Sequence, residues 1–591
     1  MESFKNLIQF ASKDAILRLV AKERGKYVTK HPRNHKNADE VQEKDKMTDS
    51  VKEASMKQEK TLYETLLEIS PPHRLWNGYG KSRLPKKVTR GVEGWTCSKR
   101  RAAVRVYNGI CKNLKKSDEE WAKNLNEFVE SIQKRLSGAE ELNLETPDII
   151  PVFKEAGNQS KDNRDFVFRP ICVYSDLKTK IILALTYQYI LKYFDCYFHK
   201  DMLFMRSVRR VGPNRYEVPK FLDAIDMVCE YRDKNAFNNI YVGECDIQKF
   251  YDIFNHDVIE ECFEDLFDEA KRKRGIPDSE LDPLRRVIKA YLKSYNYPEL
   301  VMSKNSDEGY WEEERKKGEP GKCANPHCYF KWVKEDAFVD PETGCYTKEE
   351  FQKAKAEGKI GIPQGGALSG IIVNVVMRAV DMPIVEVVDR QRLFIRYCDD
   401  ILLMHTDPDK CSEYLDTYYK QLIKYKLLPH PIKNVSDFKN NIKTQSAFWH
   451  CKSKNVYRWG NGDGNASAWI AFVGYEMNRN GAVRLRKDKI DKEFKRIAHQ
   501  YYKVINTKPK AGQVFTDEDK ERILASFDKV SEGFTDYVKA TDSLYTRSQA
   551  RRLDNYLYKK TKAAAAKLGI ADAKAAARGR ATYESRVRDR Q

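Results

Sequence analysis

Three acidic residues stand where chemistry is most readily built. Asp399 and Asp400 are adjacent inside LFIRYCDDILLMH (393–405), and Asp246 interrupts the apolar run NIYVGECDI (239–247). Side chains along a strand alternate faces, so neighbouring aspartates address one site only where the chain turns. The apolar arms Phe394, Ile395, Ile401, Leu402 and Leu403 predict a hairpin with the acids at its tip. An Asp-Asp pair alone is usually a solvated turn. A third carboxylate at the end of another strand changes that balance, because converging carboxylates suit Mg²⁺, a hard ion that keeps water and phosphate oxygens in its shell. Two such ions, about 3.5–4 Å apart, lower the pKa of an attacking hydroxyl and stabilise a leaving oxygen. The chemistry implied is phosphoryl transfer. Asp252, close behind in KFYDIF, fits an acid favouring a helix N-terminus.

A second constellation is GIPQGGALSGIIVN (361–374). Gly365 and Gly366 let backbone approach a ligand, Gln364 adds a directional amide, and the helix that follows offers unpaired N–H groups. The plainer reading is a helix start with Ser369 in its first turn. The elements that must hold these residues are legible around them. FVFRPICVY (166–174) alternates as a strand and feeds the apolar helical run KIILALTYQYILKYF (180–194). Trp121, Leu125, Phe128, Ile132 and Leu136 recur at helical spacing, with Gly138 as a stop. The segment 296–358 is polar and reads as a surface excursion; Lys30 to Lys60 is Lys/Glu-rich and reads as a mobile linker.

The chain has 591 residues with 107 Lys+Arg against 87 Asp+Glu, a formal charge of +20. That length supports several structural units, and the excess of cations points to a polyanionic partner. No 18-residue apolar stretch occurs, which excludes a membrane-spanning helix, and the N-terminus lacks a secretory h-region. The 13 cysteines form no framework and fit a reducing compartment, so a cytoplasmic protein without disulfides is expected.

Taken in order, strand-Asp-x₃-Phe-Tyr-Asp, then Pro-Gln-Gly-Gly-x-Leu-Ser-x₄-Asn, then Tyr-Cys-Asp-Asp resemble the palm of reverse transcriptases, over about 160–486. The resemblance implies an α+β right-hand polymerase: an extension (1–95), fingers (96–240), a palm (241–486) with the insert, a helical thumb (487–570) and a basic tail (571–591). It implies that Asp246, Asp399 and Asp400 hold two Mg²⁺ ions, with Mn²⁺ able to substitute and the Ile247 carbonyl as an added ligand. Arg169 takes the role of the fingers arginine that meets the incoming triphosphate, with Lys161 and Arg164 as weaker candidates. Tyr251 matches the sugar gate, Gln364 and Gly365 lie at the nascent base pair, and Lys433 stands near the place of the motif D lysine. FVGYEM (472–477) resembles the primer grip, giving Phe472, Gly474 and Tyr475. The expected partners are an RNA template, a non-coding RNA above all, deoxynucleoside triphosphates and the DNA product; an oligomer is left open.

Two departures separate the chain from compact relatives: Gly370 replaces the usual proline after the motif B serine, and the insert precedes motif B. No cysteine follows Cys451, so the Cys-rich endonuclease module of many intron enzymes is missing, as is the Val-Thr-Gly element of retron enzymes. By elimination the chain resembles bacterial reverse transcriptases of the abortive-infection and "unknown group" type, which implies a role in defence against phage. Template-independent or protein-primed synthesis at the same site is an alternative, as is an RNA-binding scaffold or intron maturase with vestigial catalysis. Cys323, His327, Cys328 and Cys345 offer zinc ligands at irregular spacing, against an ordinary loop with reduced thiols. Arg578, Arg580, Arg586, Arg588 and Arg590 suit phosphate contacts or a merely soluble tail. Tyr501, Tyr502, Tyr545, Arg551, Tyr556 and Tyr558 read as helix core mixed with a duplex-gripping face.

Overall fold

The structure is a computed structural model. It describes the chain except 1–3, 31–61, 77–96, 116–117, 157–164, 205–208, 213–214, 218–220, 317–326, 333–334, 341–343, 434–450, 461–465, 508, 510–513, 531–533, 535–540, 542, 579–582 and 585–591. The expected linker, Lys161, Arg164, Cys323, Arg580, Arg586, Arg588 and Arg590 therefore lie outside the described residues, except for Lys30 at a helix end.

Strands follow in chain order as β1 (Asp148–Ala156), β2 (Asp165–Val173), β3 (Arg209–Gly212), β4 (Arg215–Glu217), β5 (Ile240–Cys245), β6 (His327–Phe330) and β7 (Leu393–Tyr397). They continue as β8 (Asp400–His405), β9 (Ile432–Lys433), β10 (Ser453–Trp459), β11 (Ala466–Ser467), β12 (Trp469–Phe472), β13 (Tyr475–Asn478) and β14 (Val483–Leu485). The fold class is α+β, as expected. Two compact units divide it: one comprises 1–219, 247–386 and 418–429, the other 220–246, 387–417 and 430–591.

In the first unit β1 and β2 pair antiparallel, and β6 adds parallel to β2. The helix Leu177–Phe194 follows β2, capped by the Asp176 carboxylate on the amides of Lys178 and Thr179. Its apolar residues occur all round, and Ile181, Ile182, Leu185 and Tyr189 are buried, so it forms core rather than surface. The helix Glu120–Ser137 buries the spaced apolar set and stops at Gly138, whose φ of 84° supplies the left-handed cap. Against expectation, the described residues of 296–358 do not all lie at the surface. His327–Phe330 joins the sheet, and Tyr297, Trp311, Phe330 and Phe338 are buried. The polar runs of this segment mask a few large aromatic anchors, and those decide its placement.

In the second unit the sheet order is β11-β10-β5-β8-β7, with β9 on β10. β5 pairs antiparallel with β8 and with β10, and β7 with β8. Arms of Val242, Phe394, Ile395, Leu402 and Met404 are buried, so the sheet is rigid where it carries its acids. β12, β13 and β14 form a separate antiparallel meander. The helices Lys487–Ile505 and Ser543–Lys567 follow. The terminal region, expected as a basic tail, includes a helix Ala573–Arg578, and Tyr583 is fully buried with its hydroxyl donating to Glu493 at 2.7 Å. Among the described residues no helix is long and apolar enough to cross a membrane.

Candidate active site

The acidic hairpin forms as the sequence predicts. Tyr397 pairs with Asp400 across a turn made of Cys398 and Asp399. Cys398 has φ 62°, a left-handed conformation that costs a residue with a Cβ. The buried Arg396 guanidinium reaches the Cys398 carbonyl at 3.3 Å and braces the turn. Asp246 follows the last residue of β5. Because Cys245 opposes Ile401, continuing the register by one residue sets Asp246 across from Asp400. On the other side Lys454 opposes Glu244, and continuing that register by two residues sets Lys452 across from Asp246. One row across the sheet therefore reads Lys452, Asp246, Asp400, Tyr397, with Asp399 at the tip beside it.

The carboxylates feel one another. Loss of water pushes Asp400 up first, and the charges of Asp399 and Asp246 push it further; burial and then Asp246 do the same to Asp399. Protons are thus retained at the tip well above the usual carboxylate range, and a cation relieves the same repulsion. The Asp246 side chain, 5% exposed, receives the Lys452 ammonium on Oδ2, and His430 Nε2 lies 3.6 Å from that oxygen. Its backbone is pinned as well: the amide donates to Ser453 Oγ at 3.1 Å, and the carbonyl accepts from the His430 amide at 2.8 Å. One step behind on the same face, Glu244 accepts from Lys454 and, at 2.5 Å, from the Tyr457 hydroxyl.

These donors fit a hard divalent cation in kind: carboxylate oxygens in charge excess at a rigid sheet end. As the side chains stand, no three His, Cys, Asp or Glu among the described residues are grouped as ligands of one ion. The Lys452 ammonium holds the position on Asp246 meanwhile. The candidate zinc ligands His327, Cys328 and Cys345 likewise form no such group among the described residues. Cys328 and Cys345 are buried and in no disulfide, and burial raises Cys345 to about 12.

Arg169, Tyr251, Gln364 and Gly365 belong to the first unit, which brings their segments together. Gln364 bridges Ile171 of β2 and its carbonyl accepts the Cys172 amide at 2.8 Å, so Arg169, exposed on that strand, and Gln364 share one edge. Ile362 donates to the Tyr251 carbonyl at 2.8 Å, and Gly361 to that of Phe254 at 2.8 Å. Gly365 needs its φ of 96°, and a Cβ there would lie 2.8 Å from Ile171. Ser369 donates to the Pro363 carbonyl at 2.6 Å and so closes the loop instead of capping the helix Ser369–Val385. Asp252 is not a helix N-terminal acid either. It ends a short 3₁₀ turn, Asn255 caps the helix His256–Arg274, and burial raises Asp252 to about 6 against the charges of Lys249 and Lys154.

Ile247 is buried beside its bridge partner Pro429. Lys433 pairs through its backbone with Lys454. Phe472 and Tyr475 face each other across the turn Val473–Gly474 and are both buried, so the turn backbone is what this hairpin presents. Lys452, Ser453, His430 and Glu244 were not singled out from the sequence. Their one signal is the alternation of Lys452 and Lys454 in CKSKNVY (451–457), which marks a strand with one basic face.

Residues 328–436 match the reverse transcriptase (RNA-dependent DNA polymerase) family. That stretch holds the 361–374 loop and the Asp399–Asp400 hairpin, and it is a reverse transcriptase domain, the domain of RNA-directed DNA polymerases. No curated protein matches the chain. Similar solved structures include telomerase from Candida tropicalis in complex with a fragment of telomeric RNA, at 11% identity and TM-score 0.33, covering 80% of this chain and 65% of that one. Telomerase from Candida albicans, also with a telomeric RNA fragment, aligns at 11% identity and TM-score 0.30, covering 84% of this chain and 76% of that one. The chain thus spans 65% of the length of the first of these telomerases.

Proposed function

We propose that the protein is an RNA-directed DNA polymerase whose reaction centre is Asp246, Asp399 and Asp400. The observation that carries this reading is the row of carboxylates at the ends of β5 and β8, inside and beside a reverse transcriptase domain. Two bound divalent ions, Mg²⁺ or Mn²⁺, would activate the primer hydroxyl and stabilise the departing pyrophosphate. Asp246, Asp399 and Asp400 supply their oxygens, with the Ile247 carbonyl in support. Arg169 receives the triphosphate, a role its exposure on β2 suits. Gln364 and Gly365 present a flat backbone and an amide to the nascent base pair. Tyr251 crowds a 2′-hydroxyl, Lys433 serves the departing phosphate, and the turn at Phe472, Gly474 and Tyr475 holds the primer end.

The template is RNA, and a structured non-coding RNA suits the +20 charge. The departures at Gly370 and in the insert support a defence role against phage in a bacterial cytoplasm. Sequencing the DNA made by the purified full-length protein on a defined RNA, with primer, deoxynucleotides and Mg²⁺, tests the reading. The complement of the template is expected. A product sequence independent of the RNA, or DNA bonded to the protein, would favour untemplated or protein-primed synthesis; no incorporation by folded protein would favour a scaffold. Phage plating on cells carrying the wild type against the Asp399→Ala/Asp400→Ala variant tests the defence role, with protection lost in the variant.

A further inference from the structure

Two lysines on one face of β10 and the residue before it meet two acids of β5, and the pairs differ in one respect. Lys454 is 3% exposed and fixed on Glu244, which also takes the Tyr457 hydroxyl. Lys452 touches Asp246, yet its side chain is 59% exposed. Its ammonium reaches in from solvent and can withdraw without opening the core. The Lys452 ammonium and the His430 imidazole both approach Asp246 at Oδ2. That oxygen belongs to an aspartate whose backbone is held on both sides, by Ser453 and by His430.

We propose that Lys452 is a tethered counter-cation of the reaction centre: it orients Asp246 and offsets the carboxylate repulsion while no divalent ion is bound, and it gives up Oδ2 when one arrives. Metal affinity is then set by competition with an ammonium carried on the chain itself. An ammonium suits this task because it is a compact, well-hydrated point charge on a flexible stem, whereas a guanidinium would grip the carboxylate through two parallel bonds and leave reluctantly. Lys452 is in this sense a positioning residue, and the inference rests on the reading that Asp246, Asp399 and Asp400 bind the metal.

The test is Mn²⁺ binding to the full-length protein, followed by the electron paramagnetic resonance of free Mn²⁺ at fixed ionic strength, with thermal unfolding in chelator alongside. Lys452→Gln is expected to bind Mn²⁺ roughly tenfold tighter than wild type, the scale of one partly screened ion pair, and to melt at a lower temperature in chelator but not with Mn²⁺ present. Lys452→Arg is expected to bind more weakly than wild type. Unchanged or weaker binding by folded Lys452→Gln would overturn the proposal; Lys452→Met, which keeps the apolar stem, replaces it should the glutamine variant not fold. Failure of the polymerase reading looks different: Asp246→Asn and Asp399→Asn would then bind Mn²⁺ as wild type does.

Discussion

Asp399 and Asp400 stand beside Asp246 at the end of the sheet, and at both tip residues burial first and neighbouring carboxylate charge second favour the protonated acid. Their placement at strand ends was legible in the sequence because an acid inside an apolar strand, or between two apolar arms, has no packing reason to be there. Lys452 and Glu244 were not legible, since their meaning lies in cross-strand register between segments 206 and 210 residues apart. Tyr251 is half-buried, edge-on to Phe250 at 5.7 Å between ring centres. If it crowds the sugar, Tyr251→Ala lowers the preference for deoxynucleotides over ribonucleotides about 10- to 100-fold in kcat/KM, the range available to steric discrimination. Single-nucleotide incorporation measures that ratio, and an unchanged ratio in a less stable protein would make Tyr251 a core residue.

At the scale of elements, the hairpin and the strand before Asp246 could be read ahead because alternation and turn chemistry are local. The role of 296–358 could not, because the partners of Tyr297 and Phe330 are distant in sequence and its charged runs dominate the average. Tyr297 also sets a limit on the loop before Gln364. Gly361 has φ 85°, and a Cβ there would lie 2.5 Å from the Tyr297 ring and 2.9 Å from the Asp252 carbonyl. Gly361→Ala is expected to cost about 1–3 kcal/mol or more, seen as a lower urea midpoint with unchanged slope; a midpoint equal to wild type would contradict the packing.

His256 ties the same loop from the other side, its Nε2 2.8 Å from the Gly361 carbonyl, and burial lowers its pKa from 6.5 to about 4. Between those values the unfolded chain takes up a proton that the folded one refuses. The contribution is therefore complete above pH 6.5 and lost as pH falls toward 4, by about 3 kcal/mol. Urea unfolding across that window is expected to show the loss in wild type and a flatter profile in His256→Gln, whereas equal slopes would show that His256 is not the group responsible.

Over the whole molecule, the residues assigned to one reaction are shared out: the carboxylates and Lys452 belong to one compact unit, Arg169, Tyr251 and Gln364 to the other. The sequence conveyed the fold class through ordered motifs, but not this division, which cuts the chain at Asp246 itself and again within the helix Pro408–Lys424. Such boundaries follow the density of contacts in space, which linear spacing does not record. Net charge, in contrast, was legible at once and bears on partners instead of fold.

The most direct measurement is the rate of single deoxynucleotide addition to a primer on an RNA template, compared between wild type and Asp400→Asn, with melting in chelator recorded for both. Removing one charge from a self-repelling set should leave the melting temperature equal or higher while the rate falls roughly a thousandfold. A folded Asp400→Asn protein that adds nucleotides within tenfold of the wild-type rate would contradict a reaction centre built on these carboxylates.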